Sequence, residues 1–349
     1  MTAGSVDSVL GPVPGEELGP TLVHEHLLVD TRTTEHKEAS HRATPLGPHN
    51  YYLSRRRDDH PHALVLDSVS EAVDELRHFR DLGGRTLVEV TPRCLARNPA
   101  GLVAIARESG VNVVMGGGFY DHHYHQDVVH RASVDALAEL LVHDCTEGVD
   151  IGERKTVRSG VIGEIGLSWP VLDCERKALV AASMAQAATG KALVIHPGRN
   201  PEGPRFALDE AERAGADPSR VVLSHIDRTL DEAAPIVELA RRGAFVSFDL
   251  FGNESSFYPY SDFHMPNDGA RLLLIRSVAD LGELDQVVVS QDIYRKTHLL
   301  RYGGEGYGHI LRDVVPVMDR FGLDAGMQRS LLTDNPARAL TGQPAATPK

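Results

Sequence analysis

Cysteine is scarce, aromatic side chains are few, and positive charges fall well short of negative ones; each shortage removes a class of protein. Three cysteines in 349 residues, Cys94, Cys145 and Cys174, are too few and too scattered for a disulfide framework or a thiolate zinc site. They are expected as free thiols in a reducing cytoplasm. Lys and Arg number 36 against 49 Asp and Glu, a formal net charge of −13. That balance argues against nucleic acid as a partner, because a phosphate backbone needs a concentrated basic face. No stretch of about 18 consecutive apolar residues occurs, so no membrane-spanning helix is predicted. Residues Met1 to Leu18 place acidic and proline residues where a secretory signal has a basic start and an apolar run. No GxGxxG opens a helix after the first strand-like run. The glycines Gly116 to Gly118 lack the lysine and following helix of a phosphate-cradling loop, and are read as a tight strand-end turn.

What is present is the composition of an ordinary globular chain, 42% hydrophobic and 24% charged. Short β-branched runs recur after glycines, each followed by a polar loop and a helix-like segment, the alternation expected of repeated βα units. Eight such runs can be read: TLVHEHLLV at Thr21, TLVEV at Thr86, VNVVMG at Val111, GVIGEIG at Gly160, ALVIHP at Ala192, VVLSH at Val221, AFVSFDL at Ala244 and QVVVSQD at Gln286. Eight parallel strands fit a closed α/β structure, a (β/α)8 TIM barrel, which accommodates a chain of this length around one core. Residues 1–349 are therefore expected as a single domain.

Between the first two strands, Ser68 to Glu71 reads as a capping box. The apolar positions Val73, Leu76, Phe79 and Leu82 give the helix one packing face before Gly83 ends it. Further helices are expected after Asn98-Pro99, Ser133, Asp173, Arg205, Thr229 and Asn267, with an eighth beginning near His309. Polar stretches at about 31–62 and 251–266 interrupt the rhythm. Both follow strands, and loops after strands lie at the catalytic face of a barrel, so both are expected as pocket walls.

Placed against these strands, His24, His26, Glu164, His196, His225 and Asp292 fall within or at the C-terminal ends of strands one, four, five, six and eight, on one rim. His24 and His26 are two apart, so both can face into the barrel while Glu25 points outward. A single histidine here reads as a hydrogen-bonded core imidazole. Four histidines and two carboxylates together suit divalent zinc, manganese, iron or cobalt. Glu164, in an apolar strand, is costly to bury unpaired; a metal or a basic side chain from another strand would neutralise it, and the residues alone leave both open. Asp292 poses the same problem and permits a second role, moving a proton between water and a leaving group. Arg199, Arg228, Tyr120, Lys296 and His298 also follow strands and can reach the pocket, although strand-end charges serve solubility as often. Two arginines at one rim favour a small-molecule substrate with an anionic tail.

From LGPVPGEELGPTLVHEHL to TDNPARAL, the chain resembles the phosphotriesterase family of the amidohydrolase superfamily. The HxH on strand one, single histidines on strands five and six, and the aspartate on strand eight match that family's ligands. Glu164 stands where the best-known phosphotriesterases carry a carboxylated lysine. That glutamate, with GEIGLSWP, IHPGRNP, SHIDRT, FDLFGNE and KTHLLRYGGEGYGHIL, is most similar to the branch called phosphotriesterase-related or phosphotriesterase homology proteins. The resemblance implies two divalent metal ions, zinc first, with manganese, cobalt or iron as alternatives. One would be held by His24, His26 and Asp292, the other by His196 and His225, with Glu164 and a hydroxide bridging and Asp292 shuttling a proton. It further implies amide hydrolysis of N-acetyltaurine or related N-acyl amino acids. Tyr120, similar to a tyrosine of lactone-hydrolysing relatives, makes a lactonase with weak phosphotriesterase activity the alternative; a metal-binding barrel without catalysis is the second. A homodimer is implied on the same ground.

Overall fold

A computed structural model of the chain describes residues 4–56, 60–125, 127–152, 154–254, 258 and 264–343. All eight runs form strands: β1 (Thr21–Glu25), β2 (Thr86–Glu89), β3 (Asn112–Met115), β4 (Val161–Gly166), β5 (Ala192–His196), β6 (Val221–Leu223), β7 (Phe245–Phe248) and β8 (Val287–Val289). Parallel ladders join β1 to β3 in one arc and β4 to β8 in a second. The arcs meet at both edges. At one seam Gly160 N, Gly163 N and Gly166 N donate to the carbonyls of Met115, Gly117 and Phe119 at 2.8, 2.8 and 3.0 Å. At the other, Asp292 N donates to His24 O at 3.3 Å and His26 N to Ile293 O at 3.2 Å. The closed result is a (β/α)8 barrel.

Strand alternation sorts the apolar side chains into two cores. Val88, Val114, Val194, Val222 and Val288 point inward and form one cluster with Leu18, Ala337 and Leu340. Their neighbours Leu87, Val113, Leu193, Ile195, Leu223 and Val289 point outward and pack with the helices in the other. The inner cluster is closed from the N-terminal end of the strands by the antiparallel hairpin Ser5–Ser8 and Gly11–Pro14. The final helix, Asn335–Thr341, packs alongside it, and Arg220 donates to the carbonyls of Arg338, Ala339 and Leu340 at 2.9 to 3.1 Å, satisfying that helix's orphaned C-terminal end.

The outer helices are α1 (Val69–Asp81), α2 (Pro99–Ser109), α3 (Val134–Thr146), α4 (Asp173–Thr189), α5 (Gly203–Arg213), α6 (Ala233–Arg241) and α7 (Asp268–Asp280). Ser68, Asn98, Ser133 and Asn267 cap four of them through side-chain oxygens. The reciprocal half of the box at α1 is not made. Ser68 Oγ accepts from Glu71 N, but the Glu71 carboxylate instead accepts from the Tyr302 hydroxyl at 3.0 Å. α6 starts four residues after Thr229 because residues 226–228 coil into a tight 3-10 turn behind His225. The eighth helix is irregular, a π segment Ile310–Val314 followed by a 3-10 segment Val315–Phe321, where Pro316 lacks the N–H that a regular helix needs.

The polar stretch after β1 folds into short helices Thr34–Ser40 and Tyr52–Arg56, with Tyr51 donating to Thr297 O at 3.2 Å in the loop after β8. Residues 57–59 of it, and 255–257 and 259–263 of the loop after β7, lie outside the described residues.

The glycine run Gly116 to Gly118 does more than turn. A Cβ on Gly116 would sit 2.3 Å from Gly163 O, and one on Gly118 would sit 2.4 Å from Glu164 O, so backbone meets backbone along this seam. Gly163 answers from β4. Its φ of +126° is closed to other residues, and a Cβ there would lie 2.3 Å from Val194 O. Gly163→Ala is therefore expected to destabilise the fold by about 2 kcal/mol or more, read as the free energy from urea unfolding.

Candidate active site

Four imidazoles and two carboxylates converge at the C-terminal mouth of the barrel, all buried. His24 Nε2 lies 3.7 Å from Glu164 Oε2 and 3.6 Å from Asp292 Oδ1. His26 Nε2 is 3.4 Å from both Glu164 Oε1 and Asp292 Oδ1. His196 Nδ1 is 3.1 Å from Glu164 Oε2 and 2.9 Å from His225 Nε2. The turns that aim His225 and Asp292 are left-handed, with φ of 56° and 50°.

Each of three rings is held from behind by its other nitrogen. His24 Nδ1 meets Ser224 Oγ at 2.9 Å, His26 Nδ1 meets Thr91 Oγ1 at 2.8 Å and His225 Nδ1 meets Asp249 Oδ1 at 2.7 Å. Nε2 of each therefore faces the cluster. His196 is arranged differently, because Arg228 Nη2 donates to its Nε2 at 3.0 Å and leaves Nδ1 inward.

Burial and charge pull these groups apart. Burial pushes Glu164 up to about 8, against the attraction of His26. Burial also drives His24 and His225 down to about 3. At His26 burial is outweighed by Asp292 and Glu164, which raise it to about 9. Asp292 stays well below the usual carboxylate range because the attraction of His26 and the surrounding imidazoles overcomes burial.

This donor set fits metal ions. His24 Nε2 is buried with no hydrogen-bond partner. The nitrogen-to-oxygen gaps of 3.4 to 3.7 Å around His24 and His26 are too long for hydrogen bonds. They approach the roughly 3.3 Å edge of a tetrahedron whose ligands lie about 2.0–2.1 Å from a central ion. Two triads place single ligand atoms within mutual reach, His24–His26–Asp292 and His24–Glu164–His225, with His24 common to both. His196 touches the second triad without belonging to it.

The cluster forms the floor of a cavity of about 330 Å³. Thr31, Thr33 and His36, from the polar stretch after β1, line it. Arg199, Arg228 and Tyr120 also line it. Arg228 is buried with Nη1 lacking a hydrogen-bond partner, and Arg199 Nε donates to the Tyr258 hydroxyl at 2.8 Å. Burial lifts Tyr120 well above the usual phenol range, so it is protonated, with its oxygen 3.5 Å from His196 Nδ1. Asp227, between His225 and Arg228, accepts from the fully buried Arg271 at 2.6 Å and from Leu250 N at 3.2 Å, which ties the β6 turn to β7.

Two of the residues expected at the pocket lie off it. Lys296 turns away to Asp67, 3.3 Å distant. His298 lines a neighbouring cavity with Gln291 and Arg295, where burial holds it down at about 3. Glu25 does point out of the barrel, but outward is not solvent. It is fully buried and clamps β1 to the end of β8, accepting from Ser290 Oγ, Gln291 N and Ile293 N at 2.7, 2.7 and 2.8 Å. The supports Thr91, Ser224 and Asp249 escaped sequence reasoning, although each stands within two residues of a strand end.

The family model of the phosphotriesterase family matches residues 4–340. The chain belongs to the phosphotriesterase family. It is a metal-dependent hydrolase. The N-acetyltaurine hydrolase of Salmo salar is 36% identical over 346 residues, which cover 97% of this chain and 98% of that one. Among solved structures, a resiniferatoxin-binding protein from Rhodobacter sphaeroides superimposes with a TM-score of 0.89 at 33% identity, over 97% of this chain and 95% of its own. The phosphotriesterase homology protein of Escherichia coli, which holds phosphate in its active site, gives a TM-score of 0.78 at 28% identity, over 93% and 99% of the two chains.

The pocket rim depends on Glu175, whose carboxylate accepts from His122 N, Ser168 N, Ser168 Oγ and Leu172 N at 2.7 to 3.1 Å. Burial opposes its ionisation, but these donors win and depress its pKa below 4.5. Its contribution is thus complete above the unfolded-state pKa and is lost as pH falls through the lower folded-state value. Glu175→Gln should be less stable than the unsubstituted protein at pH 7, and the gap in unfolding free energy should narrow below about pH 4.5.

Proposed function

We propose that the chain is a binuclear metal-dependent amidase for N-acetyltaurine or related N-acyl amino acids, acting as one domain over residues 1–349. The observation that carries this reading is a pair of guanidinium groups, the half-buried Arg199 and the buried Arg228, in the wall of a cavity floored by metal-type ligands. An unpartnered N–H on a buried arginine is costly, and a sulfonate or carboxylate tail is the complementary ligand. The N-acetyltaurine hydrolase identity of a full-length relative supports the same substrate class.

His24, His26 and Asp292 would hold one ion, and His196 and His225 the other, with Glu164 shared between them. Zinc suits the nitrogen and oxygen donors, as would manganese, cobalt or iron. Bound there, the ions would supply Lewis acidity to the amide carbonyl and lower the pKa of water toward neutrality. The chain's own groups do the remaining work. Arg199 and Arg228 orient the anionic tail, Tyr120 offers a protonated hydroxyl above the floor, and Asp292, 3.4 Å from His26 Nε2, can carry a proton through Oδ1 to the departing amine. The three free thiols support a reducing, cytoplasmic setting. Among the described residues no helix is long and apolar enough to cross a membrane. A homodimer is the assembly proposed, on the family resemblance.

Asp292→Asn is expected to keep most of its metal, measured by elemental analysis, while kcat for N-acetyltaurine falls about 100-fold or more. Activity within about tenfold of the unsubstituted protein would sink the proton-carrying role. A parallel assay of N-acetyltaurine, other N-acyl amino acids, acyl-homoserine lactones and an aryl phosphotriester decides the substrate. A lactone preferred about a hundredfold turns the reading to a lactonase, and metal without any turnover turns it to a binding barrel. Arg228→Met should lower kcat/KM for N-acetyltaurine by about 10- to 100-fold, and much less for an uncharged N-acetyl amine.

A further inference from the structure

Glu89 ends β2, close to the catalytic cluster, with no place among the ligands described above. It is fully buried, and Oε1 accepts from the Thr91 hydroxyl at 2.5 Å and from Leu27 N at 3.3 Å. Thr91 Oγ1 in turn lies 2.8 Å from His26 Nδ1. A hydroxyl has one proton to give. Because Thr91 gives it to Glu89, its contact with His26 must run the other way, with Nδ1–H donating to Thr91. With Nδ1 committed to Thr91, Nε2 is the nitrogen left to face Glu164 and Asp292.

We propose that Glu89, acting through Thr91, is a positioning residue that fixes which nitrogen of His26 faces the cluster. The inference rests on the metal-ligand reading of His26 and deepens it. His225 reaches the same end by direct contact with Asp249. At His26 the threonine hydroxyl stands between the ring and the carboxylate. The direction of the chain of bonds follows from its terminus: two donors, the Thr91 hydroxyl and Leu27 N, converge on Glu89 Oε1, which makes it the accepting end. Without that end the hydroxyl could rotate and donate to Nδ1, and the proton would move to the face that must bind metal. Carboxylate supports of this kind are worth about 10- to 100-fold in metal affinity.

The test compares full-length, zinc-loaded protein with Thr91→Val, Thr91→Ser and Glu89→Gln, using chelator competition to measure affinity for each of the two ions. Thr91→Val removes the hydroxyl at nearly constant shape. It should weaken one ion by about 10- to 100-fold while changing the other by less than about threefold, and Thr91→Ser should return the weakened ion to within about threefold. Glu89→Gln should weaken the same ion. Unchanged affinity in Thr91→Val, or a Thr91→Ser as weak as Thr91→Val, overturns the proposal. So does equal loss of both ions, which would mark a merely structural role. If Thr91→Val does not fold, Glu89→Gln carries the comparison, and wild-type affinity in it overturns the proposal. If the unsubstituted protein takes up no zinc, the metal reading itself fails. The relay is then read by hydrogen exchange of the His26 Nδ1 proton in the NMR spectrum, which should be slow in the unsubstituted protein and fast in Glu89→Gln; equal rates overturn it.

Discussion

Burying carboxylates and imidazoles at the end of an apolar barrel is the constraint on which the rest of the structure depends. Glu164, Asp292, Asp249 and Glu25 are all buried, where an unsatisfied charge costs several kcal/mol. Each is met by a specific donor or by the cluster itself. Those donors are strand-end residues and backbone N–H groups that the closed barrel brings within reach. The architecture and the chemistry are therefore one problem. Opening the seam between β8 and β1 would strip Glu25 of its N–H partners and expose the ligands of β1 together.

The same logic explains why the catalytic end is polar in layers. Nearest the cavity are the groups suited to metal and substrate. Behind them Thr91, Ser224 and Asp249 hold the imidazole rings, and behind Thr91 stands Glu89, while Arg271 holds Asp227 in the turn that follows His225. At the opposite end of the strands the inner core is apolar and mostly valine, closed by a hairpin and a helix. Shape decides there; hydrogen bonds decide at the mouth.

This division also governs what could be read from sequence. Strand positions were legible because β-branched runs after glycines carry their own signal, and the six residues of the cluster were legible because they sit on those runs at their ends. The supports were not. Thr91 and Ser224 are ordinary small polar residues whose direction depends on which neighbour across the barrel completes their bond. The outward facing of Glu25 followed from alternation, but its burial did not, because alternation predicts facing and not exposure, and the face away from the lumen is covered by the end of β8. Lys296 and His298 were displaced by partners far away in sequence, Asp67 for one and the wall of a separate cavity for the other. The broken eighth helix turned on Pro316, which was visible but carried no weight against the apolar pattern around it.

At the end of β3 the contact with β4 is made backbone to backbone, Gly116 and Gly118 facing the carbonyls of Gly163 and Glu164. Gly116, Gly118 and Gly163 have no side chain to shorten, so no compensating substitution can restore the fit once one of them gains a methyl group. Inward valines can be exchanged for isoleucine or alanine with repacking elsewhere, but this seam admits no such trade. The position of Glu164 is thus held by the absence of side chains on the neighbouring backbone as firmly as that of His26 is held by their presence.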